Sequence, residues 1–169
     1  IGEIIGLVQD GFEQVCNSGG LAGEPCRKLK VRLMDCKLHE DAIHRGPAQM
    51  HPAVREGIRE CILDAKPILL EPIQIMQIEA GAESMGDISK LIQNKRGQLM
   101  SMEQQGEHLI VKAAMPVAEL IGWSSDLRSA TSGRGSSFVQ DQKFEKLPES
   151  LQLKITNAIR QRKGMELMR

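Results

Sequence analysis

Pro72-Ile-Gln-Ile-Met-Gln-Ile78 alternates apolar residues with polar ones, and its reading decides the fold. Ile73 and Ile75 fall on one side, and Met76 and Ile78 on the other, so a period of two predicts a strand. Downstream, Met85, Ile88, Leu91 and Ile92 recur at helical spacing, and Asn94-Lys95-Arg96-Gly97 closes that helix. Residues 98–102 and 109–115 read as two strands around a turn at Gln104-Gln105-Gly106. Residues 117–129 read as a helical segment whose start Gly122 unsettles, and residues 136–144 as a last strand. The order β-α-β-β-α-β is the split βαβ plan, with four antiparallel strands and two helices on one face. Leu151, Ile155, Ala158 and Ile159 then predict a C-terminal helix, opened by Pro148 and ended at Gly164.

Upstream of Pro72 the pattern differs. Ile1, Ile4, Ile5, Val8, Phe12, Val15 and Cys16 predict a first helix, stopped by Asn17-Ser18-Gly19-Gly20. Gly2, Gly6 and Gly11 weaken it, so tertiary packing must hold it. From Arg27 the period becomes two: Leu29, Val31 and Leu33 face one way, and Lys28, Lys30 and Arg32 the other. The apolar phase then flips to Met34, Cys36 and Leu38, as at a bulge or sheet edge. A polar segment, residues 39–49, carries a Gly-Pro turn signal. Pro52 then opens a helix with the stripe Val54, Ile58, Cys61, Ile62 and Ala65, ended by Pro67. One strand makes no stable sheet. The first unit therefore reads as the remainder of a longer domain, as does a chain starting at Ile1 rather than Met. The fold class is α+β, in two units joined near residues 65–70.

Composition narrows the function. Among 169 residues, 22 Lys and Arg balance 22 Asp and Glu, so neither a uniformly basic nor a uniformly acidic protein fits. Aromatics are 2% of the chain, too few for base-stacking platforms. No apolar run approaches a membrane span. The charge is nonetheless segregated: residues 26–59 are rich in Lys and Arg and hold three of the four His, and a second basic stretch follows Gln142. Two basic regions on a neutral chain suggest local contact with a polyanion. Cys16, Cys26, Cys36 and Cys61 show no CxxC spacing and read as reduced, mostly buried thiols of a cytosolic protein.

No GxxxxGK[ST] loop is present, which argues against a nucleotide site in this chain. His39-Glu-Asp-Ala-Ile-His44 looks like HExxH, but the second His comes one residue late. On a helix the two rings would point about 140° apart, and zinc proteases need them on one face. The Ser residues near Gly lack a GxSxG elbow. What stands out is a loop with two imidazoles and a guanidinium beside a basic segment, suited to reaching into a polyanion.

Those residues carry a resemblance. Leu38-His-Glu-Asp-Ala-Ile-His44-Arg-Gly-Pro-Ala-Gln49 closely resembles the tip loop of the translation elongation factor 2 family. Leu21-Ala-Gly-Glu-Pro-Cys26 looks like the same family, as does Gly122-Trp-Ser-Ser-Asp-Leu-Arg-Ser-Ala-Thr-Ser-Gly-Arg-Gly135, and Arg162-Lys163-Gly164 fits. Pro47-Ala48 looks like its archaeal form. The resemblance implies a C-terminal piece: residues 1–66 as a partial ribosomal-protein-S5-like fourth domain with the tip loop at 39–49, and residues 67–169 as a ferredoxin-like fifth domain with a C-terminal helix. It implies GTP-dependent translocation of tRNA and mRNA on the ribosome, with the tip entering the decoding site. GTP and Mg²⁺ would serve the full-length factor, and this chain would hold neither a cofactor nor the GTPase domain. The resemblance further implies a cytoplasmic protein with no membrane partner. Its partners would be the ribosome, the enzymes of diphthamide synthesis and the remaining domains of the same factor.

Residue by residue, the resemblance makes His44 the diphthamide position. His39, Asp41, Arg45 and Gly46 become tip-loop and modification-recognition candidates, with Gly46 allowing a tight turn. Lys28, Lys30, Arg32 and Arg128 are candidate RNA contacts, while Asp126 and Arg128 near a helix end could equally cap and pair internally. A free-standing metal or acid–base enzyme using His39, His44 and Asp41 is the alternative. It accounts only for the loop.

Overall fold

The computed structural model describes residue 2 and residues 4–168. Ile1, the first residue of the expected helical stripe, and Arg169, in the basic ending, lie outside the described residues. The helices are α1 (Ile5–Ser18), α2 (Pro47–Asp64), α3 (Met85–Asn94), α4 (Trp123–Ala130) and α5 (Glu149–Arg162). The strands are β1 (Leu70–Gly81), β2 (Gln98–Gln105), β3 (His108–Pro116) and β4 (Ser136–Lys146). The chain divides into two compact units, residues 70–147 and residues 1–69 with 148–169.

In the sheet unit the strand order is β2-β3-β1-β4 with every neighbour antiparallel, the topology expected of the ferredoxin-like plan. Met76, Ile78 and Ala80 of β1 and Leu109, Val111, Ala113 and Met115 of β3 are buried with Ile88 and Ile92 of α3 and Trp123 and Leu127 of α4. The change of apolar phase in β1 coincides with a register shift between Ile75 and Met76 against β4. Burial follows the shift: Ile73 is buried, then Met76, Ile78 and Ala80. The expected helix over 117–129 is broken. Val117–Glu119 is a 3₁₀ turn, and α4 starts only at Trp123, after Gly122 at φ +79. A left-handed residue cannot continue a right-handed helix, and glycine takes it at least cost. Trp123 Nε1 donates to Ser137 Oγ at 2.9 Å, so the single indole is buried without an orphan donor.

Arg96 follows α3 and draws this unit together. Its Nη1 and Nη2 donate to Glu71 on β1 at 3.1 and 2.8 Å, and its Nε donates to Glu119 at 2.8 Å. Glu71, first among these partners, holds the guanidinium pKa above its already high value. Lys95 beside it pairs with Asp126 at 2.8 Å and donates to the Ile121 carbonyl. Asn94-Lys95-Arg96-Gly97 is thus more than a helix stop: it ties β1, the 3₁₀ turn and α4 together.

In the other unit α1 packs on α2. Val15, Ile58 and Ile62 are buried, with Phe12, Cys26, Leu29 and Val54 against them. Gly11 is the close approach: a Cβ there would meet Val54 Cγ1 at 2.8 Å. The expected strand over residues 27–38 does not form. Among the described residues no second strand of this unit lies beside it, and a strand without a ladder leaves its amides to water. Val31, Leu33 and Met34 stay outside, Met34 at 85% exposure, while Leu29 packs against the helix pair. Helix α2 begins at Pro47 rather than Pro52, so the last three residues of the expected 39–49 loop are helical. Gly46 O accepts from Gln49 N and Met50 N, and Pro47 takes the first helical position, where its missing N–H costs nothing. Pro52 then sits inside the helix.

By its contacts α5 groups with residues 1–69 rather than with the sheet unit. Gln152 explains this: its Oε1 accepts from Leu69 N at 2.8 Å and its Nε2 donates to Leu69 O at 3.0 Å, mimicking a strand partner. Arg160 Nη1 donates to Leu21 O, and Lys163 Nζ to Gly23 O and Glu24. The cysteines are less buried than expected: Cys61 is exposed and the other three half-buried.

Two glycines separate packing from propensity. Gly57 lies in mid-α2, and a Cβ added there would meet nothing within 4 Å, so Gly57→Ala is expected to raise unfolding free energy by about 0.8 kcal/mol. Gly11→Ala gains the same propensity but forces α1 off Val54, for a net loss of about 1 kcal/mol. Denaturant titration of the two variants checks both signs.

Candidate nucleic-acid interface

Residues 39–46 form a tip at the N-terminal end of α2. Asp41 organises it. Its backbone N–H donates to His39 Nδ1 at 3.1 Å, its Oδ1 accepts from Ile43 N at 3.1 Å, and its carbonyl accepts from His44 N at 3.2 Å. These bonds close the 3₁₀ turn Ala42–Arg45 with Asp41 as its N-cap. Arg45, half-buried, reaches back so that its Nη2 donates to Glu40 O at 3.0 Å, clamping the turn from behind. His44 is exposed, and its ring meets that of His39 edge to face, with centroids 4.6 Å apart and planes at 68°.

The structure thus brings His39, Asp41, His44 and Arg45 into one turn. The tip also carries Ile43 at 73% exposure, an apolar side chain that sequence reasoning passed over. Gly46 differs from expectation. Its φ of −76 and ψ of 167 are open to any residue, and a Cβ would meet only Gln49 Oε1, at 3.5 Å. Neither the turn nor the packing demands glycine there. Among the described residues no three His, Cys, Asp or Glu side chains come together to hold a metal ion. His39 Nδ1 and Asp41 Oδ1 each accept a backbone N–H, from Asp41 and Ile43, so these two atoms serve the turn.

Lys28, Lys30 and Arg32 are all exposed. The alternation meant to align them fails at Lys28, whose φ of +55 turns the chain, so strand geometry does not place the three on one face. Arg128 is exposed on the last turn of α4, whereas Asp126 on the same helix is paired with Lys95. The internal pairing weighed for Asp126 is therefore present, and its partner is Lys95. In the second basic stretch, Arg160 and Lys163 serve as braces to Leu21 and Gly23. Periodicity carries no signal for such side-chain-to-backbone bonds, which is why they were missed.

Comparison with known proteins divides the chain near residue 67 and takes α5 together with the sheet segment. Residues 1–66 match the family described as Elongation factor G, domain IV, and residues 68–164 match Elongation factor G C-terminus. The chain belongs to this family of translation elongation factors and corresponds to its C-terminal part. Elongation factor 2 of Nanoarchaeum equitans is 46% identical over 167 residues, 99% of this chain and 22% of that protein. Elongation factor 2 of Methanocaldococcus jannaschii is 46% identical over 165 residues, 98% of this chain and 23% of that protein. For Methanococcus maripaludis (strain C5) the identity is 48% over 160 residues, 95% of this chain and 22% of the protein. The chain therefore spans about a fifth of the length of the curated relatives it matches. The crystal structure of ttk003000868 from Thermus thermophilus superposes with a TM-score of 0.80 at 25% identity, over 95% of this chain and 24% of that one. Among the described residues no helix is long and apolar enough to cross a membrane.

If Asp41 builds the tip, Asp41→Ala should loosen it alone. Loss of an N-cap costs about 1 kcal/mol, so the Ile43 amide should exchange with solvent roughly five times faster. The thermal midpoint of the chain should stay within about 1 °C, because no tip residue from 39 to 46 is fully buried. Hydrogen exchange followed by NMR reads the first quantity, and a thermal melt of the same sample the second.

Proposed function

We propose that this chain is the ribosome-contacting C-terminal part of a translational GTPase that promotes GTP-dependent translocation of tRNA and mRNA, and that its tip enters the decoding site. GTP and Mg²⁺ are then used by domains outside this sequence. The observation that carries the reading is the tip itself: an exposed His44 on a 3₁₀ turn held from both sides by Asp41 and Arg45. A turn braced through backbone bonds presents its side chain without needing a pocket, as contact with a large partner requires.

In this reading His44 is the residue converted to diphthamide, and its work is contact rather than proton transfer. The modified side chain ends in a fixed positive charge that does not depend on pH. The exposed ring leaves the carbon between its nitrogens open to a modifying enzyme. Gly46, which the fold does not require to be glycine, leaves room for that enzyme to approach. Mass spectrometry of protein from the native host should find the added mass on His44 in a peptide spanning residues 38–55. An unmodified His44, or the added mass on His39 or His51, would end the assignment.

RNA contact is assigned to Lys28, Lys30, Arg32 and Arg128, all exposed cations. The isolated chain should bind structured RNA weakly and with strong salt dependence. Replacing Lys28 and Lys30 together by Ala should reduce the magnitude of the log–log salt slope by about 1.5. An unchanged slope in filter-binding titrations would remove these two from the interface.

A further inference from the structure

Cys16 lies in the last turn of α1, and Gly19 at φ +54 reverses the chain immediately after that helix. The reversal is tight: a side chain at Gly19 would run into the Glu24 carbonyl. It brings Cys26 back against Cys16, whose carbonyl accepts from Cys26 N at 2.6 Å. Covalent bonds of about 1.2–1.5 Å on either side of that contact keep the two Cα atoms within about 6.8 Å of each other. That limit coincides with the upper edge of the range disulfides span, about 4.4–6.8 Å, and any bend in the path shortens the separation further. The sulfur of Cys26 points back toward α1, 4.0 Å from the carbonyl of Val15, the neighbour of Cys16. Both thiols are half-buried.

We propose that Cys16 and Cys26 are a latent disulfide pair that closes when a hydroperoxide oxidises the chain. One thiolate attacks the peroxide oxygen, giving a sulfenic acid and releasing water or an alcohol. The second thiol then attacks that sulfur, the S–S bond forms, and the sulfenic oxygen leaves as water. Two thiols are oxidised, one peroxide is reduced and no other reactant is needed. The bond closes the turn whose Leu21 and Gly23 carbonyls receive Arg160 and Lys163, so it fixes the docking platform of α5.

The surroundings set the rate. Burial, then the neighbouring Cys26 and Glu13, raises the Cys16 pKa; burial raises that of Cys26 against a hydrogen bond from Gly20. Thiolate is therefore scarce at neutral pH, and closure should speed up by about tenfold from pH 7 to pH 8.

No Lys or Arg precedes Arg27, so both cysteines fall on one tryptic peptide, residues 1–27. The test treats the double variant Cys36→Ser/Cys61→Ser with hydrogen peroxide, alkylates it and digests it without reductant. The expected peptide lacks two hydrogens and carries no alkyl group, and chymotryptic cleavage after Leu21 leaves its halves joined until reductant is added. Cys26→Ser in the same background should abolish this species. Peptide 1–27 with two alkyl groups after full peroxide exposure, or with added oxygen in place of the two-hydrogen loss, would overturn the proposal. So would a closure rate that does not change between pH 7 and pH 8.

Discussion

The approach of α1 to α2 at Gly11 and Val54 is the contact on which the tip depends. With no side chain on Gly11, the two helices close until Val15, Ile58 and Ile62 shut out water. These are few buried residues for a unit of this size, and since no sheet of this unit forms among the described residues, the helix pair is its main apolar seam. The tip grows from the N-terminal end of α2, so its direction is that of a helix fixed along its length by this seam. Asp41 and Arg45 shape the turn, but α2 aims it.

The sheet unit rests on a different balance. Its core is continuous across β1, β3, α3 and α4. Arg96 adds direction to that nonspecific burial. A forked guanidinium reading Glu71 on one side and Glu119 on the other accepts only one placement of α3 against β1. Hydrogen bonds between ionised partners are roughly twice as strong as neutral ones, and these are partly shielded from solvent.

The β-α-β-β-α-β unit was legible because β1 and β3 bury alternate residues and α3 and α4 carry a stripe, signals that belong to the segment alone. Even the register shift in β1 is written in the step from Ile75 to Met76. The strand predicted over 27–38 failed for the converse reason: alternation shows what a segment can do, while a ladder needs a partner. Helix α2 starts early because Pro47 and Pro52 are equally acceptable first residues by sequence, and only the Gly46 carbonyl bonds choose between them. At the tip, residue types pointed to His39, Asp41, His44 and Arg45, and the structure joins them. The necessity assigned to Gly46 did not follow, since its φ is ordinary. The docking of α5 through Gln152, Arg160 and Lys163 lay beyond reach, because polar side chains that grip distant carbonyls have no period.

That docking makes the sheet unit an insertion. The chain leaves the helical unit after Leu69 and rejoins it at Pro148, and Leu70 pairs with Lys146, so the insert begins and ends at one place. On the ribosome that makes this chain, residues 70–147 emerge whole and can fold as soon as β4 appears. The helical unit must wait, since Leu21 and Gly23 meet Arg160 and Lys163 only when synthesis has passed α5. The part that aims the tip is thus begun first and completed last.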